Sequence, residues 1–486
     1  MRPTLPVLLL AAGLAVPAPA SAQASGAAPS AQAPPGAGED TAAFYFLMGR
    51  HYENLGRIDD AIAAHKKALE LEPESAELRA ELAGLYARQD KAVEALAMAE
   101  AAVEKDAANR EANRILGSIY AAFAGQRQPV RAGDNPAEYA GRAIAALERA
   151  RRPDAFDIGL ELTLGRLYVQ SGAYEKAVPL LERVVAGQPG YVDGAILLAA
   201  AQEGAGRPQE AITTLESALA RNPRFYRGQL RIAEIYERQR QWASAADALA
   251  RAQAINPRAP LETRRAAALI NGGRPGEARE LLEDTLSGSG SDAQQAVQLY
   301  LLAEAQRALK DLPAAEATAK RLLDANPNDA RGLHVLSLIL QDKGDAQGAE
   351  RVLRDLIARD PLDASALNSL GYLFAERGER LDEAVELLRR ALKIEPDNPS
   401  YLDSLGWAYF RQGRLDLADD PLTKAAAELK DSSVVQDHLG DLRFGQQRFA
   451  EAAAAWERAL AGDGQDIDRA RIEEKIREAR SRVESR

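Results

Sequence analysis

The sequence predicts an all-α solenoid of about twelve helical hairpins, closed by a C-terminal capping helix. Three observations carry that reading. A small residue recurs every 34 residues or so: Gly49, Ala83, Gly117, Gly165, Ala199, Ala233, Ala267, Ala303, Ser337, Gly371, Gly406 and Gly440. A second series holds only alanine, at Ala61, Ala95, Ala143, Ala177, Ala211, Ala245, Ala278, Ala315, Ala349, Ala384, Ala418 and Ala452. Prolines close many copies at one phase, at Pro73, Pro189, Pro223, Pro257, Pro327, Pro361 and Pro396. A fixed period of this length marks stacked supersecondary units. The small residues let two helices of one hairpin approach closely, and proline ends the second helix.

The clearest copy runs from Leu367 to Pro396. Leu367, Leu370, Leu373 and Phe374 form one apolar stripe, and Leu381, Val385, Leu388, Leu392 and Ile394 form another. Such a hairpin has little core of its own, so it needs neighbours on either side. Ala, Leu, Glu and Arg dominate the whole chain and favour helix. No segment shows the period-2 alternation of a half-buried strand.

Taken in order, the chain opens with an apparent export signal at 1–22. Arg2 supplies the positive start, Leu5–Val16 the apolar run, and Ala20-Ser21-Ala22 a small-x-small cleavage site, with cleavage near Ala22. The apolar run falls well short of the ~20 residues a retained spanning helix needs. The expectation is therefore an exported protein, periplasmic or associated with the cell envelope, with no direct membrane span after cleavage. Residues 23–41 are rich in Ala, Pro, Gly and Ser and read as a flexible linker. A first block of about seven repeats covers 42–286, with an inserted loop near 123–138 in its third repeat. Ser287-Gly288-Ser289-Gly290-Ser291 reads as a joint. A second block of about five repeats covers 292–464, and the charged segment 465–486 reads as the cap that hides the last apolar face.

Charge and composition exclude several function classes. A net charge of −11 leaves no dense Lys/Arg face for a nucleic-acid backbone. The absence of cysteine removes disulfides, thiolate catalysis, cysteine-bound metal and lipidation through cysteine. The four histidines, His51, His65, His334 and His438, stand at different phases without metal-ligand spacing. Acidic pairs such as Asp59-Asp60 lie at helix starts, where they suit the helix dipole. No phosphate loop and no Ser/His/Asp constellation emerges. The expectation is no metal, no cofactor and no enzyme.

The repeat resembles the tetratricopeptide repeat family over nearly all of the chain beyond the linker. Tyr45, Met48, Gly49, Tyr52, Ala61, Ala68 and Pro73 fill its motif, as do Leu164, Gly165, Tyr168, Ala177 and Pro189. Leu402, Leu405, Gly406, Tyr409, Ala418 and Ala425 fill it again. The resemblance implies a right-handed superhelical solenoid in which first helices line a concave groove. It assigns Gly49, Ala61, Gly165, Ala177, Gly371, Ala384, Gly406 and Ala418 to packing within repeats. It also places the fifth and ninth positions of each repeat in the groove. Those positions hold Phe46, Arg50, Arg114, Leu162 and Arg166 early on. Later they hold Tyr300, His334, Asn368, Tyr372, Asp403, Trp407, Asp437 and Asp441, so charge shifts from arginine to aspartate along the chain. Tyr372 and Trp407 occupy equivalent positions and read as neighbouring exposed anchors for a protein partner, the alternative for Trp407 being that it packs against its own neighbours.

The repeats over about 364–430 are also similar to large proteobacterial envelope repeat proteins. These include lipoprotein adaptors that bring substrates to carboxyl-terminal processing proteases. That similarity implies a scaffold of the envelope, with a periplasmic protease or an assembly complex as partner. This chain lacks the lipidated cysteine of those adaptors. The alternative is a structural component of a polysaccharide or protein secretion complex.

Overall fold

The computed structural model describes residues 41–126, 129–286, 291–464 and 467–484. The expected export signal, the linker apart from Thr41, and residues 287–290 of the expected joint lie outside the described residues. All regular structure among the described residues is helical.

The chain divides into two compact units. The first pairs α1 (Ala42–Asn54) with α2 (Ile58–Leu71), α3 (Ala76–Arg88) with α4 (Ala92–Lys105), and α5 (Arg110–Phe123) with α6 (Tyr139–Ala150). It continues with α7 (Ile158–Gln170) and α8 (Tyr174–Gly187), α9 (Val192–Gly204) and α10 (Pro208–Arg221), then α11 (Tyr226–Arg238). The unit ends with residues 247–258, within and just beyond α12 (Trp242–Ile255). The second unit comprises 241–246 and everything from 259 onward. Its hairpins are α13 (Glu262–Asn271) with α14 (Pro275–Leu286), α15 (Asp292–Ala308) with α16 (Leu312–Ala325), and α17 (Ala330–Asp342) with α18 (Ala346–Arg359). Then come α19 (Ala364–Arg377) with α20 (Leu381–Ile394), α21 (Pro399–Arg411) with α22 (Leu415–Glu428), α23 (Ser433–Gly445) with α24 (Phe449–Ala461), and a final α25 (Arg469–Glu484). The helices flanking the Ser/Gly run, α14 and α15, pack on each other and both belong to the second unit.

Most first helices begin at short polar side chains, although α9, α11 and α13 start at Tyr191, Phe225 and Leu261 without a side-chain cap. Thr41, Ser75, Asn109, Asp157, Asp329, Asp363 and Asn398 each accept a hydrogen bond from a backbone N–H of the first turn. These caps satisfy donors that a helix start leaves orphaned. The turn into the second helix usually contains a left-handed residue. Glycine fills it at Gly172 and Gly413, but Asp90, Arg240, Lys310 and Gln447 hold the same conformation with a side chain.

Several hairpins are locked by a glycine hole and a knob from the facing helix. A Cβ on Gly49 would lie 2.5 Å from the His65 imidazole, on Gly165 2.7 Å from Leu181, on Gly371 2.6 Å from Leu388, and on Gly406 2.5 Å from Leu422. The knob stands sixteen or seventeen residues after its glycine, on the facing helix. Ala61, Ala177, Ala384 and Ala418 are fully buried beside these contacts. Interiors packed to crystal density leave no slack at such points.

The inserted loop of the third repeat is tied down where it is described. Arg131 makes two hydrogen bonds to Glu100, at 2.6 and 2.9 Å. The fully buried Tyr139 accepts from the Val130 backbone N–H at 2.7 Å and donates to Asp134 at 3.1 Å. At the other end of the chain, α25 lays Ile472, Ile476 and Ala479 against Trp456 of α24. No described helix is long and apolar enough to cross a membrane.

Candidate partner-binding groove

Four helices of the second unit build one concavity of about 710 Å³. α19 contributes Asn368, Tyr372 and Glu376, α21 contributes Asp403 and Trp407, α23 contributes Asp437, His438 and Asp441, and α25 contributes Arg471 and Lys475. Side chains four residues apart on one helix share a face, which is why each helix offers a short column. Six of the eight groove residues expected from the sequence meet here. Tyr300 and His334 line no part of it; they stand on α15 and α17, where Tyr300 packs half-buried against the cluster of Ala303 and Ala315. Burial pushes the His334 imidazole below its usual range and the Tyr300 hydroxyl above its own.

Trp407 takes the second of its two expected roles and packs against its own neighbours. It is only 8% exposed, so it is no free anchor. Its ring stacks on His438, with centroids 4.0 Å apart and planes 12° apart, and on Phe410 at 5.0 Å and 16°. Its indole N–H donates to Glu376 Oε1 at 2.6 Å. Arg411 lies over the ring at 5.7 Å and donates to the Glu376 carbonyl. An aromatic plane with a polar edge is held best where both needs are met, and here the fold itself meets them. Tyr372 is half-buried, and its ring centroid lies 6.4 Å from that of His438.

His438 is the hub, and the rule that reads the fifth and ninth positions passes over it. Its Nδ1 lies 3.1 Å from both oxygens of the buried Asp403. Burial alone would depress the imidazole, but the Asp403 carboxylate outweighs that and holds it above its ordinary range. Lys475 bridges Asp437 at 2.8 Å and Asp441 at 2.6 Å. Burial and the adjacent Asp437 nevertheless keep the Asp441 carboxyl above its usual range. Sequence reasoning also missed Arg471 and Lys475, although the signal was present. They stand 34 residues beyond Asp437 and Asp441, so α25 continues the register of the first helices. Asn368 Oδ1 is buried without a hydrogen-bond partner among the described residues.

A second polar cluster lies in the first unit. One donor atom each from Glu53, His65 and Glu81 falls within 4.8 Å of the others. Arg88 donates to Glu53 at 2.7 Å and Arg50 to Glu81 at 3.3 Å. Both carboxylates are thus already neutralised, and the set is an internal ion-pair network.

Models of the tetratricopeptide repeat match residues 55–119, 168–214, 196–260, 299–329, 335–399 and 379–432. The chain belongs to the tetratricopeptide repeat family. A tetratricopeptide repeat-containing protein of Pseudomonas aeruginosa is 31% identical over 183 residues, which is 37% of this chain and 30% of that relative's length. Among solved structures, yeast Tom70 is similar over 91% of this chain and 96% of its own, at 15% identity and a TM-score of 0.45. A tetratricopeptide repeat protein from Parabacteroides merdae is similar over 52% of this chain and 98% of its own, at 18% identity and a TM-score of 0.41. Tetratricopeptide repeats mediate contacts between proteins, and members of the family are in general non-catalytic.

Proposed function

We propose that this chain is a non-catalytic scaffold of the bacterial cell envelope that holds a protein partner in the groove of its second unit. The observation that carries the reading is the concavity of about 710 Å³ built by equivalent positions of four first-type helices. Its floor is preorganised: Trp407, His438 and Asp403 are locked to one another before any partner arrives. Its walls carry the half-buried Tyr372 ring, the Asn368 Oδ1 atom, which has no hydrogen-bond partner among the described residues, and the Asp437 and Asp441 carboxylates bridged by Lys475. A rigid site loses little ordering entropy on binding.

Export rests on Arg2, the apolar run Leu5–Val16 and Ala20-Ser21-Ala22. The similarity of 364–430 to envelope adaptors favours a partner that belongs to a periplasmic processing protease or to its substrates. Site-specific photocrosslinking in intact cells tests both parts. A crosslinker at position 372 captures a protein partner that a crosslinker at Arg390, on the opposite helix of the hairpin, does not. Equal capture at both positions, or recovery of the chain only in the cytoplasmic fraction, overturns the reading.

A further inference from the structure

In three repeats of the second unit an acid follows directly on the alanine of the second helix: Glu316 after Ala315, Glu350 after Ala349 and Asp419 after Ala418. Each acid gathers cations from its own helix or from the next hairpin. Glu316 pairs with Lys320 at 2.6 Å and with Lys343. Glu350 accepts from Arg354 at 2.8 Å and from Arg380 at 2.5 Å. Asp419 accepts from Arg443 and lies 3.8 Å from Arg448. At the same place after Ala384 stands Val385, which is buried and carries no charge.

The cations that such an acid would hold are still present around Val385. Arg389 and Arg414 are the register counterparts of Arg354 and Arg380. Arg354 and Arg380 flank the Phe374 ring at 5.7 and 4.8 Å, and Arg389 and Arg414 flank Tyr409 at 5.7 and 5.6 Å. Arg389 Nε donates to Tyr409 Oη at 2.9 Å, which fixes the guanidinium and leaves its terminal nitrogens without a partner among the described residues. Neither Arg389 nor Arg414 makes an ion pair among the described residues. Together with Arg390 and Lys393 they line a cleft of about 390 Å³. Its two lining carboxylates do not compensate them. Asp382 accepts from the Gln412 amide at 2.9 Å, and Glu386 pairs with none of the four cations.

We propose that this cleft binds an acidic segment of a protein. One side-chain carboxylate of that segment sits between Arg389 and Arg414 as Glu350 sits between Arg354 and Arg380. Charge complementarity selects this occupant. The same pair of arginines around the same aromatic position already receives a single carboxylate one repeat earlier. A guanidinium offers parallel N–H donors that match a carboxylate, and Lys393 supplies a further cation for the next acid along the segment. Tyr409 holds Arg389 in place beforehand, so little ordering entropy is lost on binding. The cleft shares no residue with the groove of the same unit, so its acidic partner is a second molecule, distinct from the one the groove holds.

Fluorescence anisotropy of the full chain with a fluorescein-labelled hexaglutamate peptide at low salt tests the site. Arg389→Gln and Arg414→Gln should each weaken binding about tenfold or more. Arg224→Gln, at an exposed arginine of the first unit, should leave it unchanged. Val385→Glu supplies the acid that the neighbouring repeats carry and should abolish binding, whereas the isosteric but neutral Val385→Gln should retain it. If the substitutions at 385 fail to fold, the two arginine variants decide. Equal affinity of the wild type and Arg389→Gln overturns the proposal, as does displacement of the peptide by inorganic phosphate at the same concentration as its carboxylates. Arg389-dependent cosedimentation with phosphatidylglycerol vesicles, without binding of hexaglutamate, overturns it in favour of a lipid surface.

Discussion

The groove positions of the two units are built from one repeat but use charge in opposite ways. In the first unit they carry arginines in solvent: Arg50 reaches Glu81, and Arg114 reaches Glu111 on its own helix, with side chains about half exposed. In the second unit the equivalent and adjacent positions draw Asp403, His438 and Trp407 into a desolvated stack. The lesson concerns cost. An exposed pair contributes ~0–1 kcal/mol whichever residues form it. A buried pair penalises any change that leaves one partner uncompensated. The second unit has therefore converted a groove surface into a fixed structure.

Four measurements break or sharpen that contrast. Trp407→Ala removes a buried indole and should destabilise the second unit by ~3–5 kcal/mol, read as accelerated amide exchange across α19–α23. Unchanged exchange would mean that the ring is a surface group after all. Next, Gly371→Ala drives a Cβ to 2.6 Å from Leu388, and should cost ~1–3 kcal/mol through overpacking. Leu388→Ala alone should cost ~2–5 kcal/mol, and adding Gly371→Ala to it should cost less than Gly371→Ala costs in the wild type, because the knob is gone. If the two losses simply add in the double variant, the knob and hole are not a pair.

The third concerns pH. His438 titrates above its ordinary range in the folded state, so folding raises its proton affinity. Its contribution to stability is fully present below the unfolded value near 6.5 and is lost as pH rises through the folded value. Denaturant titrations of the wild type should thus show a falling second-unit stability above about pH 6.5, and His438→Gln should flatten the slope. An identical slope in both proteins would place the titration elsewhere. Smallest is Arg114→Ala, which should shift first-unit stability by no more than ~0.5 kcal/mol in either direction.

The helices and their stacking were readable because each rests on a local, repeated signal. Glycine at 371 requires a knob at 388, and both are visible as letters at fixed distance. The six groove residues that gather in the second unit follow from the same register. Which of the two roles Trp407 takes was not readable. It depends on His438, one position away from those the register highlights, and on Glu376 reaching the indole from another helix. Which charged residue folds inward is decided by a partner 31 or 35 residues distant, and no pattern of hydrophobicity encodes that choice. The part played by Lys475 was hidden for a simpler reason. A helix read only as a cap was not also read as the next member of the series.

Where a hairpin has a glycine hole, hole and knob lie in the same repeat, Gly49 with His65 and Gly165 with Leu181. Gene duplication can therefore copy a hairpin whole, with its internal fit intact. Only the seams between copies must be renegotiated, which makes the seams the place where a lengthening solenoid accumulates compromise. The ion pairs of Arg88 with Glu53 and of Arg50 with Glu81, which join the first hairpin to the second, sit at just such a seam.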